Sequence, residues 1–330
     1  AGGRHPTLLP KNTMQAYDFL DGVIIGDPET ALSSIAGGEK PGCVPGTAGL
    51  VNGDITVAPG AALPTDLDHL PFPAWDLLDM NYHTRVTPRV IPCRLLRTAT
   101  VLSSRGCGGS CSFCSEGRQY TGPVRFHSPR YVTSMIEKLH TDYTIEGIYF
   151  SDEMFLADRG RAEELCARLI DTGLSEKTVW SAQVRTDAVS PEVLSLLRKA
   201  GCIQLEFGIE SGSQRMLDLL SKGTTVESNA AALDMCRKAG IRSMTSVMYG
   251  FPDETKEDAL ATARFIDRAN PDIVRLVRNI PIPGTPQTVK LVSSGRLPAD
   301  FWSGQVRRGD PFGGSPVNLT AMSGDEFEKV

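Results

Sequence analysis

The sequence predicts an α/β protein with a parallel sheet of six strand–helix units, curved into a barrel or doubly wound. Three observations carry that expectation. From about residue 98, short strand-like runs alternate with helical patterns. Two of those runs are polar on one face only. A shorter, separate α/β pattern precedes the repeat.

The strand runs are 98–104, 146–151, 179–185, 203–209, 242–249 and 273–279. Between them, Ala162, Leu165, Cys166, Leu169 and Ile170 share one helical face. Ser190-Pro191 reads as a capped helix start. Thr224-x-x-Glu227 reads as a capping box, and Ala259, Thr262, Ala263 and Ile266 repeat the helical spacing. In one strand Ile203, Leu205, Phe207 and Ile209 face one way, and Gln204, Glu206, Gly208 and Glu210 the other. Ser181, Gln183 and Arg185 likewise oppose Trp180, Ala182 and Val184. A sheet covered on both faces is apolar on both, and a filled barrel packs its lumen with Val, Ile and Leu. A polar inner face therefore suits an incompletely filled barrel that holds a polar ligand.

In the front part, Gly22-Val-Ile-Ile-Gly26 reads as a buried parallel strand and Asp27-Pro28-Glu29 as a helix start. Leu50-Val51 and Ile55-Thr56-Val57 flank Asn52-Gly53-Asp54, a hairpin signal. Leu70-Pro-Phe-Pro-Ala-Trp75 reads as a linker. The expected organisation is 1–75 front domain and linker, 76–97 connector, 98–290 core barrel, and 291–330 C-terminal extension. The chain opens at Ala1 in mid-pattern and reads as a fragment or a processed form.

Hydrophobic residues make up 41% of the 330 residues, charged ones 22%, and the net charge is −5. That balance argues against a nucleic-acid surface. No apolar run nears the roughly 18 residues of a membrane span, and no signal peptide is visible, so a cytoplasmic location is expected. Eight cysteines are too few for a disulfide scaffold in a chain of this length. Cys166, Cys202 and Cys236 sit in apolar patterns and read as small buried hydrophobes, while Cys43 and Cys93 have no partner nearby in sequence.

The remaining three cysteines crowd into Cys107-Gly-Gly-Ser-Cys111-Ser-Phe-Cys114, directly after the first strand of the repeat. That placement puts the loop at the C-terminal mouth, where such folds place their chemistry. Three thiolates can each hold one iron of a cubane and leave the fourth open. Gly106, Gly108 and Gly109 let the backbone wrap a bulky group. The alternative is a zinc site of three Cys with His127 as a fourth ligand, although zinc sites usually pair two C-x2-C knuckles.

The C-x3-C-x-Phe-C spacing, with Ser103-Ser-Arg-Gly before it, resembles the radical S-adenosylmethionine (SAM) superfamily. Phe150-Ser-Asp-Glu153, Arg185-Thr-Asp187, Phe207-Gly-Ile-Glu-Ser211, Tyr249-Gly-Phe-Pro-Asp-Glu-Thr255 and Pro281-Ile-Pro-Gly-Thr-Pro286 extend the likeness from about 98 to 286. Relatives often carry Pro where Gly108 stands, and two Asp where Asp152-Glu153 stand. The resemblance implies a partial (β/α)6 TIM-like barrel and a 4Fe–4S cluster on Cys107, Cys111 and Cys114. SAM would be bound at the open iron and split to a 5′-deoxyadenosyl radical. It further implies that Asp152 and Glu153 meet the SAM amino group, or else cap the next helix. Arg185 is implied at the SAM carboxylate, or in an internal ion pair with Glu206 or Glu210. Glu210 and Ser211 are implied at the ribose, and Val247 to Gly250 and Phe113 near adenine.

Gly2-Gly-Arg-His5-Pro-Thr-Leu-Leu-Pro10, Val23-Ile-Ile-Gly26-Asp-Pro-Glu29 and Pro71-Phe-Pro-Ala-Trp75-Asp76 resemble the end of a cobalamin-binding, doubly wound domain and its linker into such a barrel. The implied cofactor is cobalamin, with His5 in a loop near the corrin edge rather than on the cobalt. Relatives with this arrangement include methylases of unactivated carbon or phosphorus and ring-forming enzymes of tetrapyrrole biosynthesis. The implied partners are a small-molecule or natural-product-like substrate and an electron donor such as flavodoxin or ferredoxin. Phe301-Trp302 of the extension would reach the substrate or simply pack. Cyclase, oxidoreductase and methylthiotransferase chemistry remain enzymatic alternatives, and an electron carrier or zinc-stabilised module the non-enzymatic one.

Overall fold

The computed structural model describes residues 1–60, 63–85, 96–116, 122–302 and 318–329. Cys93, with much of the expected connector, and residues 303–317 of the extension lie outside them. Contacts within the chain define two units. The first holds the described residues of Ala1–Thr65, Phe113–Ser115 and Ile280–Val317. The second holds those of Asp66–Ser112, Glu116–Asn279 and Asn318–Val330.

In the first unit, strands β1 (Gly22–Ile24), β2 (Thr47–Val51) and β3 (Asp54–Val57) form one sheet in that order. Asn52 and Gly53 both take positive φ, 53° and 91°, as the two-residue hairpin turn demands. Burial of Val23 agrees with expectation, but the strand's direction does not. β1 pairs antiparallel with β2, Val23 opposite Ala48, because the edge of the β2–β3 hairpin is the partner within reach. The Gly2-to-Pro10 stretch is also not a loop. Gly3 (φ 105°) turns the chain into helix Arg4–Leu8, and Pro10 starts a second helix, Pro10–Ala16. The third helix, Glu29–Ala36, begins just past its expected signal, with Pro28 at the cap.

The second unit contains β4 (Thr98–Val101), β5 (Ser104–Arg105), β6 (Arg125–Phe126), β7 (Gly147–Phe150), β8 (Val179–Val184), β9 (Cys202–Glu210), β10 (Arg242–Tyr249) and β11 (Ile273–Arg278). Six of them form one sheet in the order β11-β10-β9-β8-β7-β4, every pairing parallel. Spatial order follows chain order without reversal. A doubly wound sheet needs a reversal, so this sheet is singly wound. Right-handed crossovers that all run one way leave its helices on one face. The first expected strand divides: Ser104 and Arg105 leave the sheet and pair antiparallel with Phe126 and Arg125.

The helices present apolar stripes to that face. Val132, Met135, Ile136 and Leu139 of helix Pro129–Tyr143 are buried, with the Ser128 hydroxyl accepting the Tyr131 N–H at 3.1 Å as its cap. They share one buried core with Trp180, Ala182, Val184, Leu205, Phe207 and Ile209 from the strands, each large side chain contributing about 1.5–3 kcal/mol. The capping box of helix Val226–Lys238 lies one residue later than expected, with Thr225 and Ser228 exchanging two 3.0 Å bonds. The inner face is polar, as the alternation predicts. Gln183 Nε2 donates to the Tyr149 hydroxyl (3.1 Å), which donates to Glu206 Oε2 (3.4 Å). The expected linker is packed against this unit. Trp75 is buried in its core, and Phe72 meets Tyr131 edge-on at 4.8 Å. No helix among the described residues is long and apolar enough to cross a membrane.

Candidate active site

The cysteine loop leaves the sheet at the C-terminal end of β4 through the short β5–β6 ribbon. Cys107 and Cys111 belong to the second unit, and Phe113 and Cys114, both half-buried, to the first. The Gly109 N–H donates to Cys107 Sγ at 3.3 Å. A Cβ at Gly109 would stand 3.3 Å from Cys107 Sγ and 4.0 Å from Cys111 Sγ, so glycine keeps the space between the two thiols free. The loop is docked where the Ser112 N–H donates to the Leu220 carbonyl at 2.9 Å.

That docking brings a charged cluster to Cys111. Burial raises the Cys111 thiol pKa, Lys222 and Arg185 work against it, and Glu210 and Cys107 reinforce it. Lys222 Nζ and Glu210 Oε1 form a buried ion pair at 2.7 Å. Burial alone would lower the Lys222 pKa, but Glu210 and Cys111 hold it above the usual ammonium value. Glu210 is held at φ 63°, a left-handed conformation that costs a non-glycine residue roughly 1–2 kcal/mol. The bulge between β9 and β10 accounts for it: Gly208 pairs with Ser246 and Glu210 with Val247, and Ile209 is skipped. A Cβ at Gly208 would lie 2.4 Å from Glu210 Oε1 and 2.9 Å from Lys222 Nζ, so glycine makes room for the pair.

Beside this cluster lies a cavity of about 430 Å³, lined by Gly108, Gly109, Ser110, Arg185, Lys222 and Gly223 among others. That volume suits a small polar ligand. Arg185 is not paired with Glu206 or Glu210. Its guanidinium grips Asp187 bidentately, at 2.9 and 2.7 Å, which raises its pKa and lowers that of Asp187.

The other expected positions differ in character. Asp152 is fully buried and accepts from the Ser103 N–H (2.7 Å), Ser103 Oγ (2.5 Å) and Ser104 Oγ (2.8 Å). Glu153 is half-buried, and its Oε2 has no hydrogen-bond partner. Burial, together with Glu116, raises its pKa. Neither caps the next helix, Arg159–Asp171, whose cap is Asp158. Ser211 Oγ bonds Thr262 Oγ1 at 3.1 Å and accepts the Ser213 N–H. Val247 is buried between Glu210 and Leu276. Gly250 (φ 82°) donates its N–H to Glu254 Oε2 at 2.6 Å. In the first unit, Phe301 and Trp302 meet edge-on at 5.4 Å.

Sequence reasoning missed Lys222 and Arg161, and it placed Gly208 in a strand and Ser103 and Ser104 in a motif without giving them a role. The Glu206-x-Gly208-x-Glu210 spacing was a usable signal, because a lone glycine in a strand marks a close approach.

Cys107 and Cys111, the two thiols of the second unit, suit the group that the motif implies. Soft thiols flank a glycine-lined hollow and a backbone N–H points at one sulfur. No three His, Cys, Asp or Glu side chains among the described residues converge on a single metal ion. The thiolates of a cubane bind three different irons and need not converge.

The fold and loop define a three-cysteine loop at the strand ends of a singly wound parallel sheet. Residues 101–266 match the family model of the radical SAM superfamily, half of the chain, and the chain belongs to that superfamily. Its core is the parallel six-stranded sheet of a radical SAM TIM-like barrel. An uncharacterised methyltransferase of Pyrococcus horikoshii is 32% identical over 289 residues, covering 86% of this chain and 61% of that protein. The anaerobic magnesium-protoporphyrin IX monomethyl ester cyclase of Cereibacter sphaeroides is 29% identical, covering 86% and 47%. Among solved structures, the radical SAM methyltransferase TsrM from Kitasatospora setae, with tryptophan and a SAM analogue bound, superposes with a TM-score of 0.74 at 17% identity, covering 89% and 57%. A second structure of that protein holds cobalamin and a [4Fe–4S] cluster (TM-score 0.71). The chain thus spans between 47% and 61% of the length of these proteins.

Proposed function

We propose that this chain carries the core of a cobalamin-dependent radical SAM enzyme that transfers a methyl group to an unactivated atom of a small-molecule substrate. The supporting observation is the glycine-lined cysteine loop beside a cavity whose wall offers Lys222 and Arg185. The methyltransferase likeness of the relatives points the same way. When bound, a reduced 4Fe–4S cluster supplies the electron that splits SAM, and cobalamin the methyl carrier.

The chain's own residues bind and orient. Cys107, Cys111 and Cys114 would hold three irons. Glu153, half-buried just past the end of β7, would accept from the SAM ammonium. Lys222 and Arg185 would hold its carboxylate. Glu210 would reach the ribose, with Ser211 fixing the strand end behind it. Val247 and the Gly250 turn would border adenine. In the first unit, His5 Nε2 is buried without a partner and would meet the corrin periphery. A low-potential flavodoxin or ferredoxin and a reducing, cytoplasmic setting suit such a cluster.

The test is anaerobic iron–sulfur reconstitution of the full-length protein, then electron paramagnetic resonance (EPR) with and without SAM. The expected result is about four irons per chain and a signal that changes on adding SAM. An unchanged signal ends the SAM-binding reading, and a colourless zinc protein ends the cluster reading. The likeness to the ester cyclase favours ring formation as a second reading. Methyl-labelled SAM separates the two, since only methyl transfer leaves label in the product.

A further inference from the structure

Asp152 stands where the family motif leads one to expect a SAM contact, but it has no exposed surface through which a ligand could reach it. We propose that Asp152 and Arg161 are positioning residues that clamp Ser103 and Ser104, and so set the place of Cys107 and the environment of the cluster. The proposal rests on the cluster reading above.

Every hydrogen-bonding group of Ser103 is held. Its N–H and hydroxyl go to the two oxygens of Asp152, at 2.7 and 2.5 Å. Its carbonyl accepts from Arg161 Nη2 at 2.7 Å and from the His127 N–H at 3.0 Å. Ser104 adds its hydroxyl to Asp152 at 2.8 Å. Arg161 reaches across to the other leg of the ribbon, where Nε donates to the His127 carbonyl at 2.8 Å and the guanidinium lies 5.1 Å from the Phe126 ring centre. Arg161 therefore ties the entry to the cysteine loop (Ser103) to its exit (His127), and the buried Asp152 holds the entry from the other side. Ser103 precedes Cys107 by only four residues, so a shift at the clamp passes directly to the first ligand. Charge-assisted bonds of this kind are about twice as strong as neutral ones.

The test uses the cluster-loaded full-length protein with Asp152→Asn, Arg161→Lys and Ser103→Ala. Two readouts are taken without SAM: the EPR line shape with the midpoint potential, and amide hydrogen exchange at residues 103–107. The clamp predicts that all three variants change the SAM-free spectrum. It also predicts that they speed exchange at 103–107 by about tenfold, the effect of losing one charged hydrogen bond. SAM affinity should fall by similar factors in all three. The proposal is overturned if Asp152→Asn keeps the wild-type spectrum and exchange but weakens SAM binding while Ser103→Ala is silent, because Asp152 would then be a ligand. Should Asp152→Asn fail to fold, Ser103→Ala and Arg161→Lys carry the same readouts. If the wild type takes up no four-iron cluster, the functional reading fails, and the exchange rates alone still decide the clamp.

Discussion

The two flanks of the cysteine loop are built on opposite principles. On the β4–β7 flank, Ser103 and Ser104 donate to Asp152 and the Ser103 carbonyl accepts from Arg161, and Asp152 and both serines are fully buried. On the β8–β9 flank, Arg185, Asp187 and Lys222 line a cavity. Polar groups that saturate one another hold a backbone in place, whereas charges that face a hollow can exchange their partners for a ligand. The contrast separates residues that fix the loop from residues that can bind.

The sharpest way to break the contrast is at the buried pair Lys222–Glu210, which belongs to the open flank yet is buried like the closed one. Lys222→Met leaves the Glu210 carboxylate without its cation, and breaking a buried pair from one side costs about 3–5 kcal/mol. Replacing both, Lys222→Met with Glu210→Met, removes the orphaned charge and should restore most of that loss. SAM binding should be lost in both variants. Urea unfolding with SAM titration by EPR reads the two effects separately. A double variant no more stable than the single one would refute the buried-pair account, and one that still binds SAM would remove Lys222 from the site.

A smaller effect is expected at the Gly250 turn, another closed anchor. Glu254 Oε2 accepts the Gly250 and Phe251 N–H groups, yet burial pushes its pKa up to about 7. The folded state therefore holds a proton that the unfolded chain, at the ordinary value of 4.5, releases sooner. The stability this proton provides is complete below about pH 4.5 and is lost as pH rises through 7. The span amounts to about 3 kcal/mol at most. Glu254→Gln keeps an acceptor for the turn and should flatten this part of the profile. Urea midpoints of the wild type and the variant from pH 5 to 8 check it, and parallel profiles would show that Glu254 does not titrate there.

The two flanks also differ in how far the sequence discloses them. The six strands are legible because alternation with period two survives in 203–210 and 179–185, and the polar lumen follows from the same residues. The cysteine loop is legible because its ligands are local in sequence. Lys222 is not, since it reaches Glu210 from twelve residues away, past the helix Gln214–Leu219. Arg161 reads as a surface residue in the first turn of a helix, and only the β5–β6 ribbon buries it. The direction of β1 is equally hidden, because an apolar run carries no sign of which edge it will meet. The capping box slipped by one because Thr224 and Thr225 offer adjacent hydroxyls, and only the turn geometry selects the second.

Arg185 gives the smallest change in stability and the most direct test of an open flank. Its pair with Asp187 is partly solvent-exposed, and ion pairs of that kind contribute about 0–1 kcal/mol. Arg185→Lys keeps the charge but loses the planar fork that holds two carboxylate oxygens at once. If the flank is built to bind, the variant should unfold within about 1 kcal/mol of wild type while its SAM affinity falls roughly tenfold, the effect of one bidentate contact. Asp187→Asn supplies the converse. It frees the guanidinium from its internal partner and should leave SAM binding equal or tighter. A loss of stability in Arg185→Lys without a change in SAM affinity would place Arg185 with Asp152, among the residues that hold the loop.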